Sequence, residues 1–269
     1  MKMKMIKTNL LIVVFLFILH VAAFAQKEKH FLGGSFGLSD FHLKDIHASP
    51  LIFSGLNTTP SMQYYYNGEI DKHYVEATYS FQALTTLSDN LNTVNDLYRL
   101  RYSYVHSLST FKFMDKEFSI YAGGSISTFL SCSNYYQDQP SQIPRVKSMK
   151  SWYWSNSIDM SFQFIHNPSP RQFFSLQIYV PLISNVSRPK YSPSADFNYP
   201  ELDWKLKMFG KTTFITDNFS VNSIFAFQSP LFWKFNYQFS YEFYFSTYSK
   251  PQKINMYLNS LRAGLFFCL

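Results

Sequence analysis

The feature that most constrains this chain is a strict alternation of aromatic and polar residues near its C-terminus. From Trp233 to Phe245 every second residue is aromatic, and the positions between them are almost all polar. Successive side chains of a β-strand point to opposite faces, whereas a helix would mix the two sets. This stretch therefore predicts a long strand with one aromatic face and one polar face.

The same alternation recurs through the chain, at 75–83, 98–104, 152–164, 174–180 and 260–269. Aromatic residues make up 20% of the sequence and charged residues only 15%, against about 25% charged residues in an ordinary soluble domain. A soluble β-sandwich also alternates, but its apolar face is richer in aliphatic residues and its polar face is richer in charge. The sequence therefore favours an all-β fold, an antiparallel up-and-down β-barrel that spans a membrane.

The first 25 residues have the composition of a secretory signal peptide. Three lysines precede an apolar run from Leu10 to Val21, and Ala23-Phe24-Ala25 forms a small-x-small cleavage site. We expect cleavage before Gln26, which leaves residues 26–269 as a single barrel domain. An uncleaved N-terminal anchor is the alternative, and the short apolar run disfavours it.

Net charge and cysteine content exclude two other classes of protein. Removal of the signal peptide takes away three lysines and no acids, so the formal charge falls from +7 to +4. A charge of this size does not indicate a nucleic-acid partner. Two cysteines, Cys132 and Cys268, do not form a disulfide framework. We expect them at opposite ends of the barrel, too far apart to be bridged.

Ten strands are the favoured count, because single-chain bacterial barrels have an even number with short periplasmic turns and longer outer loops. The predicted strands lie near 30–41, 58–68, 72–86, 93–108, 116–132, 150–166, 171–185, 212–228, 232–247 and 256–269. The longer connectors fall around 42–57, 87–92, 133–149 and 186–211, with a shorter one at 248–255. Both chain ends are then periplasmic.

One region leaves the count open. A separate strand from Trp204 to Ile215 would make eleven, and even parity would then require a twelfth. Twelve strands are therefore the alternative to ten.

Charged residues at inward positions are the first candidates for a functional site. They are Glu76, Arg99, Arg101, Asp159, Glu242 and Arg262. Glu76 shares a face with the two arginines of the next strand, and Glu242 faces Arg262 if the loop between their strands is centred near residue 251. The lumen of a ten-stranded barrel is narrow and filled mainly by its own side chains, and buried charges there need partners. We predict an ion-pair network that fills the lumen, with a selectivity constriction or a catalytic carboxylate as the alternative.

Aromatic residues at the strand ends predict the two membrane interfaces. Trp152 and Trp154 fall at the extracellular end of their strand and Trp233 at the periplasmic end of its own, as expected for aromatic girdles. Three histidines are predicted to be interfacial as well: His30, His73 and His106. No metal-ligand spacing connects them, and the sequence predicts no cofactor.

Two patterns keep an enzyme among the alternatives. His47-Ala48-Ser49 has the spacing of the His-x-Ser dyad of outer-membrane phospholipase and lipid A deacylase, but it falls in a predicted loop without rigid support. Asp203 and His47 could both lie at the extracellular rim, where omptin-type proteases use Asp and His pairs. The chain has no P-loop, dinucleotide-binding or zinc motif.

The mature chain resembles the uncharacterised outer-membrane β-barrel proteins common in Bacteroidota. The resemblance lies in the Ala25-Gln26 cleavage site, in strands rich in Tyr, Phe and Asn, and in the final run Leu265-Phe266-Phe267-Cys268-Leu269. That run is similar to the signal read by the barrel assembly machinery, although the chain ends in Leu269 where an aromatic residue is favoured. The resemblance implies a Gram-negative outer membrane, contact with its lipid and an outer-membrane protein partner, and it implies no activity.

We therefore expect a non-enzymatic structural, accessory or surface-binding barrel whose lumen is filled by side chains. The alternatives are a pore for ions or small solutes and a barrel enzyme acting on lipid or peptide. The proline-containing segments 133–149 and 186–200 lack alternation and are predicted to be surface loops. Function is then expected in loops 42–57, 133–149 and 186–211 or on a partner surface.

Overall fold

The computed structural model of the chain describes residues 30–86, 91–114, 116–137, 146–169, 172–189 and 210–269. The predicted signal peptide, residues 1–25, lies outside these ranges, so its cleavage remains a prediction. Among the described residues, no helix is long and apolar enough to cross a membrane.

Eleven strands account for nearly all of the described chain. They are β1 (His30–Asp45), β2 (Phe53–Asn67), β3 (Asp71–Thr85), β4 (Leu91–Phe113), β5 (Lys116–Gln137), β6 (Val146–Ser169), β7 (Gln172–Ser187), β8 (Lys211–Phe214), β9 (Asn218–Phe232), β10 (Phe235–Tyr248) and β11 (Ile254–Cys268).

Ten of these strands form a closed antiparallel barrel. Consecutive strands pair with one another, β1 also pairs with β11, and β7 pairs with β9 over Phe173–Tyr179. The remaining strand, β8, pairs with β7 alone, opposite Ile183–Val186. Closure matters because two strands of an open sheet would be unpaired edges. In the closed ring those strands have a partner on both sides. The predicted ten-stranded transmembrane barrel is confirmed.

The region around β8 corrects the predicted strand boundaries. The expected strand 212–228 is divided by a turn at Ile215–Asp217, which separates β8 from β9. The proposed extra strand from Trp204 is outside the described residues up to position 209. Its described part, β8, has four residues and pairs with β7 alone. Within the described residues, this extra strand therefore does not add a member to the closed ring of ten.

The two rims of the barrel differ as predicted. The Leu269 N–H donates to the His30 carbonyl oxygen at 2.9 Å, so both ends of the described chain meet at one rim. This rim, called the turn end, also carries the connectors 68–70, 114–115, 170–171 and 233–234. The opposite rim, called the loop end, carries the longer connectors.

Several predicted loops are shorter than expected. The loop predicted at 42–57 is reduced to residues 46–52, and β4 continues to Phe113, beyond the end near residue 108 that was predicted for this strand. Most of the predicted loop 133–149 is also ladder, since β5 and β6 stay paired as far as Gln137 and Val146. These boundaries were wrong because backbone pairing continues where the side-chain alternation has already faded.

The two faces of each strand separate as the alternation predicts. In β10, Glu242 and Tyr244 are buried in the lumen while Phe239 and Tyr241 point outward. Large apolar side chains that are at least half exposed surround the barrel: Phe36, Leu38, Met62, Phe81, Leu100, Ile126, Ile158, Phe239, Leu261 and Leu265. A continuous apolar outer surface around a polar-lined interior is the pattern of a barrel in lipid.

At the seam where β1 pairs with β11, the chain packs closely around Gly37. This packing gives a first test of the barrel structure. A Cβ atom at Gly37 would lie 2.5 Å from Cγ of Arg262, whereas one at outward-facing Gly34 would meet nothing closer than the Ser61 carbonyl oxygen at 3.5 Å. Gly37→Ala should therefore lower the free energy of unfolding by about 1–3 kcal/mol. Gly34→Ala, the matched control, should change it by less than about 0.5 kcal/mol. Urea unfolding in detergent micelles measures both, and equal effects would contradict this packing at the seam.

Candidate functional site

The lumen is the candidate site, because its side chains form three layers along the barrel axis. An apolar layer lies at the loop end, a charged layer lies in the middle and a second apolar layer lies at the turn end. Strand alternation places each side chain in the lumen, and strand register places it in its layer.

The loop-end layer is a buried cluster that includes residues from most of the barrel wall. Its members are Phe41, Leu43, Phe53, Leu84, Leu97, Phe129, Tyr135, Tyr153, Val186, Tyr244, Tyr248, Ile254, Met256 and Leu258. Phe129 of β5 stacks on Tyr244 of β10 with ring centroids 5.0 Å apart. Three strands separate β5 from β10 around the shorter side of the ring, so this contact crosses the lumen.

In the middle layer, Glu242 is the meeting point of two arginines. Arg99 donates through both of its terminal nitrogens to the two carboxylate oxygens of Glu242, one of them at 2.8 Å. Nη2 of Arg262 lies 2.9 Å from the same carboxylate. Four strands separate β4, which carries Arg99, from β10 in either direction. The Arg99–Glu242 pair therefore spans the full width of the barrel.

Glu76 connects Arg101, the third arginine of this layer, to the same network. Nη1 of Arg262 donates to Oε1 of Glu76 at 2.8 Å, and Arg99 and Arg101 lie 3.7 and 3.9 Å from its other oxygen. Nη1 of Arg101 also donates to Asn222 at 2.9 Å. Because all of these charged groups are almost completely buried, each depends on the others for its charge compensation.

The sixth predicted lumen residue, Asp159, is buried but is held differently. Its carboxylate accepts hydrogen bonds from Ser125 at 3.0 Å, from Ser127 at 2.8 Å and from Ser157 at 2.5 Å. Within the described part of the chain, no basic side chain lies within ion-pair distance of it. Hydroxyl donors thus stabilise this carboxylate in place of a salt bridge.

The turn-end layer is aromatic and also crosses the lumen. It consists of Phe31, Tyr65, Val105, Tyr121, Ile165, Phe173, Phe266 and Cys268. The Tyr65 hydroxyl of β2 donates to Gln228 of β9, and its ring packs 5.5 Å from the ring of Phe266. Side chains from well-separated strands thus meet at the barrel axis.

The cavities beside the charged layer are small. One, of about 40 Å³, lies between Glu76, Arg101 and the turn-end aromatic residues. Another, of about 30 Å³, separates Asp159 from Arg99 and Arg101. Since one water needs about 10–15 Å³ of such volume, each has room for a few waters, whereas a solute pathway would have to continue through both apolar layers.

A further buried ion pair lies at the loop end, outside the charged layer, and sequence reasoning missed it. Arg188, just after β7, donates to Asp45 at the end of β1 and to the Gln252 carbonyl oxygen. Asp45 also accepts from Ser151 at 2.8 Å and from the backbone N–H of His47 at 3.1 Å. Both charged residues fall in segments predicted to be loops, and they are 143 positions apart, so no local signal could have paired them.

The two enzyme patterns do not form a catalytic arrangement in the described residues. Nε2 of His47 is buried without a hydrogen-bond partner there, and Oγ of Ser49 accepts from the Leu51 N–H at 3.3 Å. Ser49 is therefore not activated by His47. Asp203, the acid considered with His47, lies outside the described residues.

The three predicted girdle tryptophans lie at the rims. Trp152 and Trp154 are on the outward face of β6 near the loop end, where the indole of Trp154 donates to Thr128 at 2.9 Å. Trp233 is 74% exposed in the turn between β9 and β10. Their anchoring role remains a prediction.

Histidines add to the ring of aromatic side chains at the turn end. Nδ1 of His30 lies 2.8 Å from the Tyr64 hydroxyl, and Nδ1 of His106 lies 2.8 Å from the Asp71 carboxylate. His73 makes the same kind of contact with a neighbouring tyrosine. Within the described ranges, no three His, Cys, Asp or Glu side chains are grouped as metal ligands.

Comparison with known proteins gives distant structural likenesses only. No protein-family model and no curated protein matches the chain. The translocator domain of the autotransporter NalP from Neisseria meningitidis aligns at 8% identity over 91% of this chain and 90% of its own, with a TM-score of 0.44. The Yersinia pestis attachment invasion locus protein Ail aligns at 10% identity over 89% and 99%, with a TM-score of 0.34.

A FadL homologue of Pseudomonas aeruginosa aligns at 7% identity over 89% of this chain and 90% of its own, with a TM-score of 0.35. The roles of these proteins do not transfer at such distances, and none of the likenesses is specific to Bacteroidota. The barrel assignment depends on the strand pairing of this chain.

Proposed function

We propose that this protein is an integral outer-membrane β-barrel that conducts no solute and catalyses no reaction, and that acts as a structural, accessory or surface-binding subunit. The observation that carries the proposal is the three-layered filling of the lumen. Two apolar layers flank a charged layer whose Arg99–Glu242 pair spans the barrel.

The outer surface of the barrel supports the proposed location in an outer membrane. A closed barrel with a continuous band of exposed Phe, Leu, Ile and Met needs lipid around it. The predicted signal peptide would export the chain, and the barrel assembly machinery would insert it. A Gram-negative host of the Bacteroidota type is part of the same proposal.

A pore for ions or small solutes is the second candidate, and the lumen favours it less. Opening a path for solute would require side chains of both apolar layers to move. It would also require the ion pairs of Glu242 and Glu76 to separate. Removing one partner of a buried ion pair costs about 3–5 kcal/mol, so an open state held at that cost would be rare. An enzyme has still less support, because His47 and Ser49 are not hydrogen-bonded to each other.

Membrane integration gives the direct test of this proposal. The full-length protein should appear in the outer-membrane fraction and leave it only with detergent. It should also migrate faster on gels before boiling than after boiling, because a closed barrel stays folded in detergent. A protein that extracts in salt or alkali without detergent, or whose migration is unchanged by boiling, would overturn the proposal.

A further inference from the structure

Histidine and tyrosine side chains form one outward-facing row across β1 to β4 at the turn end. In the strand register, His30 lies opposite Tyr66, which itself lies opposite His73. His73 in turn lies opposite Tyr104. The ring centroids of consecutive members are 4.9, 5.8 and 5.1 Å apart. His106, two residues after Tyr104 on the same face of β4, completes the group. These five side chains are called here the histidine row.

The histidine row lies where the barrel surface leaves the apolar outer band. Met62 and Leu100, each four positions further from the rim than a tyrosine of the row, belong to that band and are 66% and 51% exposed. On the other side of the row, the turn 68–70 joins β2 to β3. In the membrane proposed above, this boundary is the level of the lipid headgroups. The depth of the row therefore identifies what covers it, which is the phosphate-bearing layer of the periplasmic leaflet.

Tyrosine hydroxyls engage one ring nitrogen in two of the three histidines. Nδ1 of His30 lies 2.8 Å from the Tyr64 hydroxyl, and Nδ1 of His73 lies 2.9 Å from the Tyr102 hydroxyl. A tyrosine O–H that donates to Nδ1 leaves the proton of a neutral imidazole on Nε2. Among the described residues, no hydrogen bond engages either Nε2. Each of these two rings thus keeps one N–H donor for an acceptor outside the protein.

The charge of the row depends on whether its histidines are protonated. Asp71 is its acid, which accepts from the Tyr104 hydroxyl at 2.7 Å and lies 2.8 Å from Nδ1 of His106. On β5, the residue opposite His106 is the uncharged Ala122. The other charged groups beside the row are two cations and two anions: Lys72, Lys234, Glu69 and the C-terminus at Leu269. With Asp71 they leave one negative charge when the histidines are neutral, and three protonated imidazoles change this to two positive charges.

We propose that the histidine row is a proton-dependent binding site for anionic phospholipid of the periplasmic leaflet. Protonated imidazoles donate charge-assisted hydrogen bonds to phosphate oxygens, and the acyl chains of the same lipid lie against Met62 and Leu100. Imidazoles ordinarily take up a proton at about pH 6.5, so binding should strengthen as the pH falls through that value. This inference rests on the proposed membrane location and is independent of the sealed lumen.

Lipid retention by the full-length protein tests the inference. The protein is placed in nanodiscs with equal amounts of phosphatidylglycerol and phosphatidylcholine, and native mass spectrometry counts the lipids that stay bound on release. The ratio of retained phosphatidylglycerol to phosphatidylcholine should be at least about fivefold higher at about pH 5.5 than at about pH 7.5, as one added cationic charge at an anionic surface gives. Inorganic phosphate at the concentration of the lipid should not lower this ratio, because it lacks the acyl chains.

Two histidine variants separate the row from the rest of the barrel. The triple variant His30→Gln, His73→Gln and His106→Gln should lose most of the pH dependence. His42→Gln should keep it. His42 is the matched control because it is an outward histidine of β1 at the loop end, where its Nε2 lies 3.0 Å from the carboxylate of Asp40. Heat-modifiable gel migration checks that each variant is folded.

Solid-state NMR locates the bound lipid. In vesicles with nitrogen-15 histidine, the phosphorus of phosphatidylglycerol should dephase ring-nitrogen signals at the lower pH, and the triple variant should lose this effect. An equal lipid ratio at both pH values, displacement of the lipid by inorganic phosphate, or a pH dependence that survives in the triple variant would overturn the proposal. None of these results would change the extraction or the gel migration of the barrel, so they are distinguishable from a failure of the proposed function.

Discussion

Glu242→Gln should lower the free energy of unfolding of the barrel by about 3–5 kcal/mol, because it leaves two buried arginines without their shared carboxylate. Arg99 and Arg262 both contact Glu242 directly, and all three side chains are almost completely buried. A glutamine keeps the size and one acceptor oxygen but removes the negative charge. Urea unfolding in micelles, followed by tryptophan fluorescence and gel migration, measures the loss.

Two further variants separate charge from packing. Glu117→Gln, at an exposed position of β5, should change the free energy of unfolding by less than about 0.5 kcal/mol. The double variant Arg99→Met with Glu242→Leu should recover much of the loss, because a buried ion pair can be replaced by apolar residues at little cost. Arg262 would keep Glu76 as its partner in that variant. A loss below about 0.5 kcal/mol for Glu242→Gln would mean that this carboxylate carries no charge compensation in the lumen.

The fold could be predicted from the sequence because lipid and lumen impose opposite demands on neighbouring residues. Tyr241 faces outward and Glu242 inward, and this contrast repeats along every strand that was predicted from alternation. The ends of the strands could not be predicted in the same way. Beyond the membrane both faces of a strand can be polar, so the paired segment up to Gln137 has the composition of a loop.

The charged layer was only partly predictable, because some of its contacts join residues that are far apart in the sequence. The loop between β10 and β11 is centred at residue 251, since Tyr248 pairs with Ile254, so the contact of Glu242 with Arg262 follows from counting along two adjacent strands. The Arg99–Glu242 pair joins residues 143 positions apart on opposite walls. That contact depends on the closure and width of the barrel, which no pattern within a single strand encodes.

The absence of ion conduction is the second large effect that the layered lumen predicts. The charged layer is flanked by polar-lined cavities of about 30 and 40 Å³. Those cavities lie between the stack of Phe129 on Tyr244 and the contacts of Tyr65 with Phe266. Glu242→Gln should therefore also be closed to ions wherever it remains folded, because both apolar layers persist in it.

Single-channel recording in planar lipid bilayers tests the sealed lumen most directly. Folded protein, with its insertion verified by heat-modifiable migration of protein recovered from the same vesicles, should give no conductance steps above the background of protein-free lipid. A known porin recorded in the same lipid provides the positive control. Steady, reproducible conductance steps from the purified wild-type protein would contradict the sealed lumen, because they would require a continuous aqueous path through both apolar layers.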